Sequence, residues 1–124
     1  MRVIREQPQS MAGPPEWFTG SVWFNDLSGG GAVSLGSVHF APGARTAWHS
    51  HPQGQTLYVM EGVARVQDRG GPVEDVRAGE TVVTDAGVWH WHGAAPDQFM
   101  THLAVYEGAP EWGDHVSDDE YHRR

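Results

Sequence analysis

The sequence predicts an all-β fold, a double-sheet barrel of the jelly-roll kind, closed by one short helix near its C-terminal end. Three observations carry that expectation. Short runs of alternating apolar and polar residues recur along the chain, the turns between them are loaded with Gly and Pro, and helical periodicity is almost absent. At 124 residues the chain is large enough to bury a core without covalent staples. Residues 1–15 read as an N-terminal arm and residues 16–124 as one barrel domain.

Taken in order, the arm contains Pro8, Pro14 and Pro15, which oppose a helix, so it is either loose or an added edge strand. Residues 17–24 alternate bulky and small side chains and read as the first barrel strand, ending at Asn25 and Asp26. The LSGGGA connection after them has neither the following helix nor the Lys of a phosphate loop. Residues 32–40 form the next strand, with Val38 and Phe40 on one face and His39 on the other. Gln55 opens an apolar run that closes at Gly62, an expected turn. Residues 63–66 and 73–76 make a hairpin around DRGGP, and a tight turn at residues 78–80 leads into TVV. A late strand, residues 99–106, gives His102 the parity of Met100 and Ala104. Finally, Ser117 ahead of Asp118, Asp119 and Glu120 has the form of a capping box, opening a short helix through His122.

Two stretches carry chemistry. In GARTAWHSHPQGQTLYVMEG, residues 43–62, His49 and His51 stand two apart and share a strand face, and Gln55 follows after a bend. In GETVVTDAGVWHWHG, residues 79–93, His90 and His92 repeat the spacing. Imidazole nitrogen suits zinc, copper, iron and nickel, and carbonyl oxygen suits harder ions such as manganese, so three His and a Gln leave the metal open. His49, His51 and His90 are the expected ligands. Gln55 either completes the set or turns away to bond locally. His92 and His102 either orient a ligand or act as general acid and base. His39, His115 and His122 read as ordinary polar residues. Trp48, Trp89 and Trp91 flank the histidines, so alternation turns them away from the metal, towards a contact between sheets or subunits. Val38, Phe40, Leu57, Val59, Met100 and Ala104 have the parity of an apolar pocket lining, suited to a small, largely apolar substrate.

Gly43, His49, His51, Gln55 and Gly62 together resemble the first motif of the cupins, and Gly79, Gly87 and His90 their second. This chain has Gln55 where the family usually has Glu, Asp85 where it has Pro, and Ala94 where it has Asn. FTG, PGARTAWHSHP, GQTL, HWHGAAP and MTHLA are further similar to the small manganese-dependent cupin hydroxynitrile lyases. The resemblance implies a cupin double-stranded β-helix holding a divalent ion, manganese first, with iron, zinc or nickel as alternatives. It also implies a lyase that cleaves or forms cyanohydrins, with His92 or His102 taking the proton. With Gln in place of Glu, a divalent ion keeps its full charge, which favours polarising an oxygen over redox chemistry. A non-haem dioxygenase acting on a small aromatic or thiol substrate is the main alternative, and a non-catalytic metal-binding module is another. Three placed histidines oppose a metal-free sugar-binding barrel.

The formal net charge of -8, from 8 basic and 16 acidic residues, opposes binding to nucleic acid or an anionic membrane. Much of the acidity lies in residues 111–120 and reads as a solvated face. With no Cys, no leader-like apolar segment and no membrane-length run, the expectation is a cytoplasmic protein. Outward tryptophans and strand edges point to a homodimer.

Overall fold

A computed structural model describes residues 1–123. Among them are twelve strands: β1 (Met11–Ala12), β2 (Phe18–Thr19), β3 (Val22–Asp26), β4 (Val33–Phe40), β5 (Arg45–Thr46), β6 (His49–Ser50), β7 (Gln55–Asp68), β8 (Glu74–Arg77), β9 (Thr81–Thr84), β10 (His90–Ala94), β11 (Met100–Glu107) and β12 (Glu111–Trp112). One helix, α1 (Asp118–His122), follows them. The strands pair antiparallel in the order β1-β3-β4-β11-β7-β10-β5-β2. β8 and β9 lie against β7, and β6 pairs with β10 and β12. The sheet curls on itself into the expected jelly-roll barrel. No helix among the described residues is long and apolar enough to cross a membrane.

Two departures from the sequence reading position the site. The expected first strand is split, because Phe18 pairs with Thr46 on β5 whereas Val22 pairs with Phe40 on β4. The arm adds the edge strand β1 through Met11 opposite Phe24. Further on, Gly62 is no turn. It lies inside β7, a continuous strand of 14 residues whose first half pairs with β11 and whose second half pairs with β10. The β11 register slips between Thr101 and His102, which face Glu61 and Val59, so Met60 is an extra residue in a β-bulge. Inward positions consequently change from odd, at Leu57 and Val59, to even, at Ala64 and Val66. Gly62 has φ 74°, and a β-carbon there would overlap the Phe99 carbonyl oxygen, so this bend requires Gly.

Two apolar clusters stabilise the barrel. Val22, Phe40, Ala44, Val59, Ala64, Ala94 and Met100 fill its interior below the site. Trp48, Val73, Trp91, Val116 and Tyr121 form the second cluster, with Trp89 packed against it. The three outward tryptophans thus pack with this chain's own C-terminal segment, Trp48 and Trp91 buried and Trp89 partly so. Ser117 caps α1 with the predicted capping box. Tyr121 packs under the guanidinium of Arg45 at 4.6 Å, with that of Arg65 at 5.3 Å. Its hydroxyl donates to the Ala94 carbonyl on β10. Burying a side chain such as Trp91 or Tyr121 contributes about 1.5–3 kcal/mol, and these contacts hold α1 down where its length alone would let it fray. The acidic tail is only partly a solvated face: Asp118 pairs with the buried Arg45 at 2.8 Å, and Glu120 accepts from Trp48 Nε1 at 3.3 Å.

Candidate metal centre

β6 and β10 pair with His49 directly opposite His90, so their imidazoles emerge side by side, with ring centroids 4.3 Å apart. His51 follows β6 and Gln55 begins β7. The nitrogens that His49, His51 and His90 can offer lie within 4.8 Å of one another, close enough to converge on one ion. All three rings are buried.

The hydrogen bonds fix which nitrogens are free. His49 Nδ1 donates to the Ala47 carbonyl at 2.9 Å and His90 Nδ1 donates to the Val88 carbonyl at 3.0 Å. A carbonyl only accepts, so each ring's single proton sits on Nδ1 and its Nε2 is a lone pair. His90 Nε2 then faces Gln55 Oε1 at 3.0 Å, two acceptors against each other. Either the amide turns over, or a cation satisfies both lone pairs. A spacing of 3.0 Å suits both, and the unpartnered nitrogens of His51 in the same cluster favour the cation. His51 has no hydrogen-bond partner at either ring nitrogen. Buried polar atoms are normally paired, so these orphans mark a place for a ligand. The donor set fits a divalent ion.

Electrostatics keeps these rings neutral. Burial, reinforced by His90, holds His49 well below the ordinary imidazole range and His51 down at about 4. Burial also lowers His90. Neutral imidazole is the form that ligates.

Beside the cluster stands a second pair. His102 Nε2 and His92 Nδ1 share a hydrogen bond of 2.9 Å, while His92 Nε2 and His102 Nδ1 have no partner. Burial lowers both, His92 well below its ordinary value and His102 to about 4. The His92 backbone N–H donates to Thr46 Oγ1 at 3.2 Å, tying β10 to β5. His39 keeps to the outer face, bonded to Thr101 Oγ1 at 3.0 Å and stacked on Trp23.

His49, His51, Gln55, His92 and His102 line one cavity of about 520 Å³, while His90 borders a small separate space behind them. Of the residues expected to line the cavity, Val38, Phe40 and Ala104 do. Val59 and Met100 instead fill the interior cluster, and Leu57 borders a small separate space beside Val66 and His90. The parity argument treated the barrel as hollow throughout, whereas its lower half is packed. Among the lining residues not expected from the sequence are Trp17, Phe18, Phe24, Thr46, Tyr106 and Trp112. Trp112 stacks on Trp17 with centroids 5.1 Å apart, and its ring lies 4.7 Å from that of His49. An aromatic between Pro110 and Gly113, inside an otherwise acidic tail, was the available signal.

Residues 36–106 match the family model described as a cupin domain. A relative from Granulicella tundricola, named (R)-mandelonitrile lyase, is 48% identical over 118 residues, covering 90% of this chain and 90% of its own. The crystal structure of a cupin-like protein from Thermotoga maritima is similar with a TM-score of 0.85 and 38% identity, over 97% of this chain and 95% of that one. A cupin 2 conserved barrel domain protein from Rhodopseudomonas palustris, 17% identical, has a TM-score of 0.70 over 90% and 79% of the two chains, a likeness of fold alone.

Proposed function

The chain belongs to the cupin domain family, and on that premise we propose that it is a lyase that cleaves and forms cyanohydrins. The observation that carries this reading is the His92–His102 pair, buried, hydrogen-bonded and facing the same cavity as His49, His51 and Gln55, which cluster with His90. The 48% identity to the Granulicella tundricola lyase supports it. A divalent ion held by those four residues would supply positive charge against the negative charge that develops on the substrate oxygen or on cyanide.

The chain's own residues account for the proton. In cleavage the cyanohydrin hydroxyl gives its proton to the imidazole pair, the O–H electrons form the carbonyl, and the carbon–carbon bond breaks with its electrons leaving on cyanide. The proton then passes from the pair to cyanide, releasing hydrogen cyanide and an aldehyde. Each ring of the pair has one unpartnered nitrogen, so the unit can take a proton at one end while the central hydrogen bond shifts, and release it at the other. Because both rings are held neutral, the pair is ready to accept around neutral pH. Phe40, with centroids 5.3 Å from His102 and 6.1 Å from His92, keeps water from the inner side of the pair.

The proposal includes manganese as the ion to test first, a cytoplasmic setting suited to a chain without Cys, and self-association. Trp23, Tyr58, Val83 and Val105 are exposed and share the outer face of the β3-β4-β11-β7-β9 sheet, the face that α1 leaves uncovered. The deciding experiment is elemental analysis of protein purified without added metal, followed by mandelonitrile cleavage before chelation, after it, and after manganese return. Benzaldehyde release that is lost and regained supports the lyase. Bound iron with oxygen uptake and no benzaldehyde would replace it with the dioxygenase reading.

A further inference from the structure

The cavity is larger than a one-ring cyanohydrin needs, and its shape says where the surplus lies. A pocket of roughly 150 Å³ holds a benzene; this one has about 520 Å³. Mandelonitrile carries one ring and a small head group. The space beyond it is created by two positions. Along β4 the inward residues run Phe40, Val38, Gly36, Ser34, and opposite them on β11 stand Met100, His102, Ala104 and Tyr106. One step outward from Val38 and His102, the facing pair is Gly36 and Ala104, so the wall recedes where every neighbouring pair has a larger side chain. Phe24, opposite Val38, and the stacked Trp17 and Trp112 bound the same space, which is apolar apart from its rim at Asp26, Ser28 and Ser34.

Resting on the lyase reading for its head group, we propose that the preferred substrate is a cyanohydrin, or its aldehyde, bearing two fused or linked aromatic rings. The reacting carbon lies beside the His92–His102 pair, and the second ring fills the recess at Gly36 and Ala104. An aromatic ring leaving water for such a wall adds affinity through burial, and flat walls select a flat group.

The test uses metal-loaded protein and two pairs of probes. The first is the cyanohydrins of benzaldehyde and 2-naphthaldehyde, compared by kcat/KM; the second is benzyl alcohol and 2-naphthalenemethanol, compared by calorimetric titration. The naphthyl member should lead by about tenfold in each pair, the scale of burying the extra ring carbons. Gly36→Leu should reverse that order. A β-carbon added at Gly36 would meet only the Asn25 carbonyl oxygen at 3.5 Å, an ordinary contact, so the backbone tolerates the change. Ala104→Leu fills the recess from the other strand and should act alike. If neither cyanohydrin is cleaved but the naphthyl alcohol still binds about tenfold more tightly, the lyase reading fails and the two-ring site stands. If mandelonitrile is cleaved and the naphthyl probes gain nothing, or if both variants leave the ratio unchanged, the two-ring site is overturned.

Discussion

His102 Nε2 lies 2.9 Å from His92 Nδ1 although their strands, β11 and β10, are not hydrogen-bonded neighbours. Each pairs with a different half of β7, and the bulge at Met60 with the bend at Gly62 turns the two halves so that the imidazoles meet across the barrel. The imidazole pair is therefore a product of sheet curvature. Replacing His102 by Ala should lower cyanohydrin turnover by roughly 10²- to 10⁴-fold, with metal content unchanged at about one ion per chain by elemental analysis. Undiminished activity would exclude His102 from the proton path.

Gly62→Ala tests the bend itself. The positive φ and the overlap with the Phe99 carbonyl oxygen both oppose a side chain. The expected cost is about 2–4 kcal/mol, measured as a lower urea midpoint with unchanged slope. The folded fraction that remains should bind metal better than it turns over substrate, because His49, His51 and His90 lie outside β7 and β11 and Gln55 stands at the end of β7 away from the bend, whereas His102 lies beside it on β11.

Gln55→Glu separates holding an ion from using its charge. A carboxylate should hold a divalent ion longer against a chelator, and by cancelling one unit of charge it should lower kcat by about tenfold. Chelation kinetics and the cleavage rate read the two effects separately. Parallel changes in both would contradict the charge argument.

Burial holds His102 at about 4 in the folded chain, below the 6.5 or so that it regains on unfolding. Between those values the unfolded chain binds a proton that the folded chain does not. Stability is therefore fully present above about pH 6.5 and is lost as pH falls towards 4. Metal-free protein should show a melting temperature lower by on the order of 10 °C across that window. His102→Gln should flatten part of the slope. A level or rising melting temperature on acidification would rule out a buried neutral imidazole.

The convergence of His49, His51 and His90 and the barrel itself were legible because both rest on short-range order. His49-x-His51, Gln55 and His90 sit at spacings that strand alternation converts into shared faces, and the Ser117 capping box is readable within four residues. Alternation stopped being a guide at Met60, where one extra residue moved Ala64 and Val66 onto the inner face; Val59 keeps its inward parity but lies in the packed half of the barrel, a depth that parity does not encode. Trp17 and Trp112 were hidden for another reason. Their stack joins segments nearly the whole chain apart, and no local pattern encodes such a meeting.

The pairing of β12 with β6 sets Trp112 opposite His49. During synthesis, which runs from the N-terminal end, His49, His51, Gln55 and His90 are all made before the strand that walls them in. A nascent chain or proteolytic fragment ending before residue 111 could carry His49, His51, Gln55 and His90, yet would leave that side of the cavity open to water. Gathering of these four residues and exclusion of solvent thus become separate events in the life of the molecule, and the second waits for β12.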